Sequence, residues 1–284
     1  MFWHIRGQKL SFQKTLLMGI LNLTPDSFSD GAKYLDPEAA FARAAQLIED
    51  GADILDLGAE STRPGAKEVS LEEESARLIP VLKKIRKNLD VLVSIDTTKP
   101  EIARRALEEG AHILNDVSGL QGGKSQELAR VAKEFRAGLI LMHRRGNPET
   151  MQQMTGYADV VSDVRAELEE SLKAAYGAGL EPEQLVVDPG LGFAKTAQQN
   201  FEIIQNLERF QSFGLPVLIG PSRKAFIGQV TGRPVHEREF GTAAVAAIAV
   251  MKGVQILRVH EVRASRDAVR TAEAIRGESQ HVRT

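Results

Sequence analysis

The sequence predicts a closed eightfold α/β barrel, a TIM (β/α)8 barrel, with a short N-terminal β-hairpin. Three observations predict it. Short apolar, often β-branched runs recur eight times, each is followed by a longer segment of helical period, and a chain of 284 residues has a length at which such barrels form one domain. The runs, taken as strands, are residues 16–21, 54–57, 91–95, 112–114, 139–142, 185–187, 217–219 and 256–259. They are apolar on both faces rather than alternating, as strands of a buried parallel sheet must be.

The intervening segments carry helix signals. Asp36-Pro37-Glu38 opens one helix with a capping residue and then proline at the first helical position, and Gly51 closes it. Ser70 caps the next with Glu73 at the third position, and Lys99-Pro100-Glu101 begins a third that ends near Gly110. Later helices are expected over 125–136, 158–176, 198–213, 240–252 and 262–275. Strands alternating with helices give a parallel sheet. An eightfold barrel is the simplest closure; an open doubly wound sheet is the alternative that periodicity alone leaves standing. Residues 1–14, loosely alternating around Gly7, are expected to form a hairpin under the barrel. No repeat or low-complexity linker divides residues 1–284, and the polar tail 278–284 is expected to fray.

Composition narrows the function. Apolar residues make up 43% and charged residues 26%, as in a globular enzyme. A net charge of −2 offers no footprint for nucleic acid or an anionic membrane. With no cysteine, disulfides, thiolate catalysis and Cys-based metal sites are excluded, which suits the cytoplasm. The N-terminus lacks the pattern of a secretory signal, and the longest apolar stretch, 241–251, is too short to span a bilayer.

Barrel enzymes place their chemistry at the C-terminal ends of the strands. Each predicted strand here ends in polar residues: Asn22; Glu60 through Gly65; Asp96; Asn115-Asp116; His143; Asp188-Pro189-Gly190; Ser222-Arg223-Lys224; and Arg258 with His260. Any single Asp or Asn after a strand is equally well explained as a turn former or helix cap, and a lone His143 as structural. Eight such ends together are not. Arg258 and His260, two apart and therefore facing the same way, stand in an otherwise apolar run. The segment 188–193 lacks the G-x-G-x-x-G spacing and no Walker A pattern occurs, which argues against a nucleotide cofactor. Gly220 through Lys224 lead from a strand into a helix, where backbone N–H groups can hold an anion.

The motifs together resemble one family. Residues 18–31 resemble the first signature of dihydropteroate synthases, and 60–65 their second loop. Ser94-Ile95-Asp96-Thr97, Asn115 through Gly119, Asp188-Pro189-Gly190, Gly220 through Lys224 and Arg258-Val259-His260 complete the set in family order, over about 16–275. Small departures are Ala32 after Gly31, the pair Arg144-Arg145, Leu191, Ala194 and Glu261. Arg144 and Arg145 are read as solvated surface groups, with an effect on substrate access as the alternative.

The resemblance implies a homodimer and a transferase of folate biosynthesis, from a family that is a sulfonamide target, without saying how sensitive this member is. That enzyme joins 6-hydroxymethyl-7,8-dihydropterin pyrophosphate to p-aminobenzoate, releasing 7,8-dihydropteroate and pyrophosphate, with Mg²⁺ as cofactor. It further implies that Asp96, Asn115, Asp188 and Lys224 read the pterin edge while Met142 and Phe193 line its faces. Asn22, Thr62, Arg63, Arg258 and His260 would hold the pyrophosphate, with Asn22 on the metal. Phe28, Thr62, Pro64 and Ser222 would meet p-aminobenzoate, and Asp26 and Asp30 would order the first loop or stabilise the cation. Asp96, Lys224, Arg258 and His260 are the implied catalytic set. Two alternatives share the fold: a pterin methyltransferase acting on a methylated folate, and a catalytically silent pterin-binding paralogue. The first would not need the cations of a pyrophosphate site, and the second should have lost strand-end residues.

Overall fold

The computed structural model describes residues 1–24, 36–61, 65–66, 68–121 and 125–277. Asp26, Phe28, Asp30, Thr62, Arg63, Pro64 and the tail 278–284 lie outside the described residues. Strands β1 (Phe2–Ile5) and β2 (Gln8–Ser11) pair antiparallel as the expected hairpin. The barrel strands are β3 (Leu16–Asn22), β4 (Ile54–Gly58), β5 (Leu92–Asp96), β6 (Ile113–Asp116), β7 (Gly138–Met142), β8 (Leu185–Asp188), β9 (Leu218–Ile219) and β10 (Ile256–Val259). Their order is β8-β7-β6-β5-β4-β3-β10-β9, all neighbours pair in parallel, and a bridge between Val187 and Val217 closes the ring. The barrel is therefore closed, and the doubly wound alternative falls.

The outer helices are α1 (Pro37–Glu49), α2 (Leu71–Asn88), α3 (Pro100–Glu108), α4 (Ser125–Glu134), α5 (Val160–Gly177), α6 (Ala197–Gln205), α7 (Ala225–Thr231), α8 (Glu239–Met251) and α9 (Val262–Ile275). Capping works as the sequence implies: Asp36 accepts from the Glu38 N–H at 2.9 Å and Ser70 from that of Glu73 at 3.2 Å. One expected helix, 198–213, is instead two pieces. At Asn206 the backbone leaves helical geometry, with the side-chain amide donating to the Glu202 carbonyl at 2.8 Å, and a tighter turn runs over Leu207–Phe213. Asparagine competes for backbone partners in this way, a signal that hydrophobic period does not carry.

A strand's side chains alternate sides, so each barrel strand sends every second residue inward. Leu17, Leu55, Leu57, Val93, Ile95 and Leu139 point outward into the layer under the helices. Leu16, Met18, Ile54, Ile113, Ile140 and Ile256 point inward and fill the lower barrel. The hairpin plugs this end. Trp3 is fully buried there and donates its indole N–H to the Gln184 carbonyl at 2.9 Å. A Cβ at position 138 would lie 2.8 Å from the Trp3 ring, which is why β7 begins with glycine.

Candidate active site

The same alternation carries polar residues to the open end. Above the apolar layer the inward positions are Ile20 and Asn22 on β3, Asp56 and Gly58 on β4, Ser94 and Asp96 on β5, Asn115 on β6, Met142 on β7, Asp188 on β8 and Arg258 on β10. The pairings Asn22↔Gly58, Gly58↔Asp96, Asp96↔Asn115 and Met142↔Asp188 set them side by side around the mouth.

Arg258 organises one side. Its Nε donates to Asp56 Oδ2 at 2.6 Å and its Nη2 to Asp96 Oδ2 at 2.7 Å. Asn115 Nδ2 reaches the same Asp56 oxygen at 3.3 Å. Asp56 is fully buried; among the described residues its Oδ1 has no hydrogen-bond partner, and neither has the Ser94 hydroxyl beside it. Two carboxylates thus share one guanidinium. Burial first, then repulsion from Asp56, Glu74 and Asp116, pushes Asp96 up to about 7 against the attraction of Arg258. Arg258 itself is held above its ordinary value: burial works against it, but both carboxylates outweigh that.

Asp188 and Lys224 form the other side. Burial raises Asp188 to about 6, countered by the Gly190 N–H that donates to its Oδ1 at 2.7 Å and by Lys224, Lys195 and Arg258. Burial and Arg258 lower Lys224 to about 8, opposed by Asp188 and Asp96. The Lys224 ammonium lies 4.2 Å from the centre of the Phe193 ring. Phe193 joins Met142, Val117 and Met151 in a small apolar cluster at the mouth. The expected pterin residues are therefore gathered at one mouth: acceptors on three strand ends, a cation, and an apolar cluster beside them.

His260 and Ser222 are linked. The Ser222 hydroxyl accepts from the His260 N–H at 3.1 Å and lies 2.9 Å from its Nδ1. Ser222 is 6% exposed, and its hydroxyl orients the His260 imidazole. Arg43 donates to the His260 carbonyl at 3.1 Å, and Arg223 pairs with Glu261, tying the β9 and β10 ends together.

The reading of Arg144 and Arg145 as solvated groups is corrected. Arg145 grips Glu167 through Nε at 2.9 Å, donates to the Gly156 carbonyl at 2.7 Å and stacks 3.8 Å over the Tyr157 ring. Arg144 is half-buried, and burial lowers its guanidinium against the pull of Asp116, Asp96 and Glu60. Charge in a barrel loop does not by itself say which way the loop turns. Arg144 lines a cleft of about 250 Å³ at the mouth, together with Glu60, Asp96, Thr97, Val117 and Pro148. A larger apolar groove of about 530 Å³ lies between α8 and α9, on the outer face and away from every strand-end residue. The mouth, where the titratable groups converge, is the site.

Sequence reasoning missed Asp56 and Lys195. Asp56 had a signal, as the sole charge in an apolar strand at inward parity. Lys195 had none: it follows a turn whose course only the fold reveals.

The family model described as pterin binding enzyme matches residues 18–260. The chain belongs to the pterin-binding enzyme family. Within that family it is 44% identical over 264 residues to the dihydropteroate synthase of Synechocystis, covering 93% of this chain and 91% of that one. Among solved structures of the family, dihydropteroate synthase of Yersinia pestis, in complex with a sulfonamide drug, matches with a TM-score of 0.91 and 37% identity over 98% of this chain and 100% of its own. The Xanthomonas albilineans enzyme with 4-aminobenzoic acid matches with a TM-score of 0.89 and 39% identity, over 97% and 99%.

Proposed function

We propose that this member of the pterin-binding family is a dihydropteroate synthase, a transferase that condenses 6-hydroxymethyl-7,8-dihydropterin pyrophosphate with p-aminobenzoate to give 7,8-dihydropteroate and pyrophosphate. The carrying observation is that one barrel mouth brings together Asp96, Asn115, Asp188 and Lys224, with Met142 and Phe193 in an apolar cluster beside them. A pterin presents a row of N–H donors on one edge and acceptors on another; buried carboxylates and a side-chain amide answer the donors, and Lys224 the acceptors.

The scissile bond joins the pterin methylene carbon to the diphosphate oxygen. It breaks as the anionic leaving group departs, and the ring delocalises the cation that remains. The aniline nitrogen then bonds to that carbon and gives up a proton. Arg258 and His260, spaced two apart at the end of β10, meet the leaving oxygens, joined by Thr62 and Arg63; Phe28, Thr62 and Pro64 meet p-aminobenzoate beside Ser222; Asp26 and Asp30 order the first loop. The main catalytic contribution is stabilising the leaving group in a mouth that excludes water. Mg²⁺ would neutralise the diphosphate, with the amide oxygen of Asn22 as its ligand. Among the described residues no group of three or more His, Asp or Glu side chains is placed to hold a metal. An ion carried largely by substrate oxygens and water, with one amide, fits that donor set.

A homodimer fits the exposed apolar residues of α8 and α9, where Ile248 is 47%, Met251 49% and Ile275 71% exposed. We place it in the cytoplasm, the compartment that a cysteine-free sequence suits. Among the described residues no helix is long and apolar enough to cross a membrane. The test is pyrophosphate release by purified protein, with and without p-aminobenzoate and Mg²⁺, and its inhibition by a sulfonamide. Dihydropteroate formed only with both substrates supports the reading; pterin binding without product rejects it in favour of a silent paralogue. Sedimentation at micromolar concentration tests the dimer, and a monomer alone rejects it.

A further inference from the structure

Lys195 has no place in the proposed chemistry, yet it is buried at 4% exposure, where an unneutralised ammonium is costly. Its Nζ lies 2.8 Å from His143 Nδ1, 3.0 Å from the Gly190 carbonyl and 3.0 Å from the Phe193 carbonyl. An ammonium has three donors, and all three are used. Both carbonyls belong to one turn. Gly190 in that turn donates its N–H to Asp188, and Phe193 provides the ring under Lys224. The turn has no ladder to hold it and is wound through left-handed backbone at Gly190 (φ 69°), Gly192 (φ 82°) and Ala194 (φ 51°). A Cβ on Gly190 would fall onto the His143 carbonyl, so the turn packs directly on the end of β7.

The other side of Lys195 is equally specified. His143 Nε2 lies 2.9 Å from Glu167 Oε2, so the neutral ring donates from Nε2 and offers Nδ1 as acceptor to the ammonium. Glu167 is itself gripped by Arg145.

We propose that Lys195 is a positioning residue of the pterin pocket: its ammonium pins the turn 190–193, and with it the Asp188 carboxylate and the Phe193 ring, while the His143–Glu167 pair holds the ammonium in place. The inference deepens the synthase reading and rests on it. Among the described residues no carboxylate touches Lys195. Burial lowers it to about 7; Asp188 and Glu167 favour its charge, while Lys224 and Arg145 oppose it. Asp188 in turn faces Lys224, Lys195 and Arg258. Burial and the Lys195 charge lower His143 to about 4, so the ring is neutral where the enzyme works. Removing the Glu167 charge therefore deprotonates Lys195 at lower pH and loosens the turn there.

The test measures binding of 6-hydroxymethyl-7,8-dihydropterin by calorimetry between pH 6 and 8, and the KM for p-aminobenzoate, in wild type, Lys195→Met and Glu167→Gln. Lys195→Met is expected to weaken pterin binding at least tenfold at pH 6, with a smaller loss at pH 8 where much of the wild-type ammonium is already deprotonated, and to leave the p-aminobenzoate KM within twofold. Glu167→Gln, a partly exposed position that tolerates the change, is expected to match wild type at pH 6 and to bind the pterin several-fold more weakly at pH 8. A folded Lys195→Met with wild-type pterin affinity overturns the proposal. If that variant does not fold, Glu167→Gln decides, and a pH profile superimposable on wild type overturns it. Wild type that fails to bind the pterin at all overturns the synthase reading itself, a result distinct from either.

Discussion

Asp56 is the most informative residue to change, because it touches the site only through Arg258 and Asn115. Asp56→Asn keeps an oxygen for the Arg258 Nε and removes one negative charge from a cluster holding two carboxylates to one guanidinium. The two carboxylates bind neighbouring nitrogens of that guanidinium, at 2.6 and 2.7 Å, so their charges lie roughly 6 Å apart. At an effective dielectric of about 20, charges at that distance repel by about 3 kcal/mol, or about two pKa units. Arg258 will follow the remaining carboxylate and solvent at the mouth will screen part of the effect, so a downward shift of about one unit is expected for Asp96. Its value in the free protein is raised to about 7. Below that pH Asp96 holds a proton, and a pterin donor must displace it. On this acid limb affinity is lost as pH falls below about 7, by up to about tenfold per unit, whereas the Lys195 ammonium sets a separate loss on the alkaline side. Pterin calorimetry across pH 5 to 8 reads this limb. In Asp56→Asn it should move about one unit to the acid side, toward the limb set by Asp188 near 6. A limb unmoved, or moved toward alkali, refutes the charge-sharing argument.

Three further outcomes follow from the same geometry. Asp96→Asn should stabilise the substrate-free fold while abolishing pterin binding. Because the folded value of Asp96 is about 7 against an ordinary 3.8, its stability is intact below about 4 and lost as pH rises through 7. The variant's advantage in urea should therefore grow across that window to about 2 kcal/mol, after discounting the weakened Arg258 contact. Arg258→Lys should keep the fold and cut kcat/KM by about a hundredfold, since an ammonium cannot bridge two carboxylates and still reach a leaving group; steady-state kinetics checks it, and near-wild-type turnover counts against the bridge. Trp3→Ala should cost about 3–5 kcal/mol in denaturant titration and leave the pterin KM unchanged, because the plug lies at the other end of the barrel from the site.

How much of this was legible beforehand depended on the range of the forces involved. All eight barrel strands and the hairpin were readable, because local period and capping chemistry report burial directly. The break at Asn206 was not, since it turns on one side chain competing for a carbonyl. In the site, the strand-end residues were readable as a set because a barrel sends its carboxyl ends to one face. Parity could have marked Asp56 but did not, because a single Asp inside an apolar run looks like strand until its partners across the barrel are known. Lys195 and the grip of Arg145 on Glu167 depend on contacts between distant turns. The link between the Ser222 hydroxyl and His260 likewise joins the ends of two strands that are far apart in sequence.

The ring is closed at β9 by little: a two-residue strand on one bank, and a lone bridge from Val187 to Val217 with the Val187 N–H on the Pro216 carbonyl at 3.0 Å. This is the barrel's seam, where thermal breathing should part the strands at least cost. Asp188 stands on one bank and Lys224 on the other. A ligand that bonds to both would act as a clasp across the seam, so substrate should slow amide exchange at Val187 and Leu218 more than elsewhere in the sheet, and binding would complete the mechanical closure of the fold.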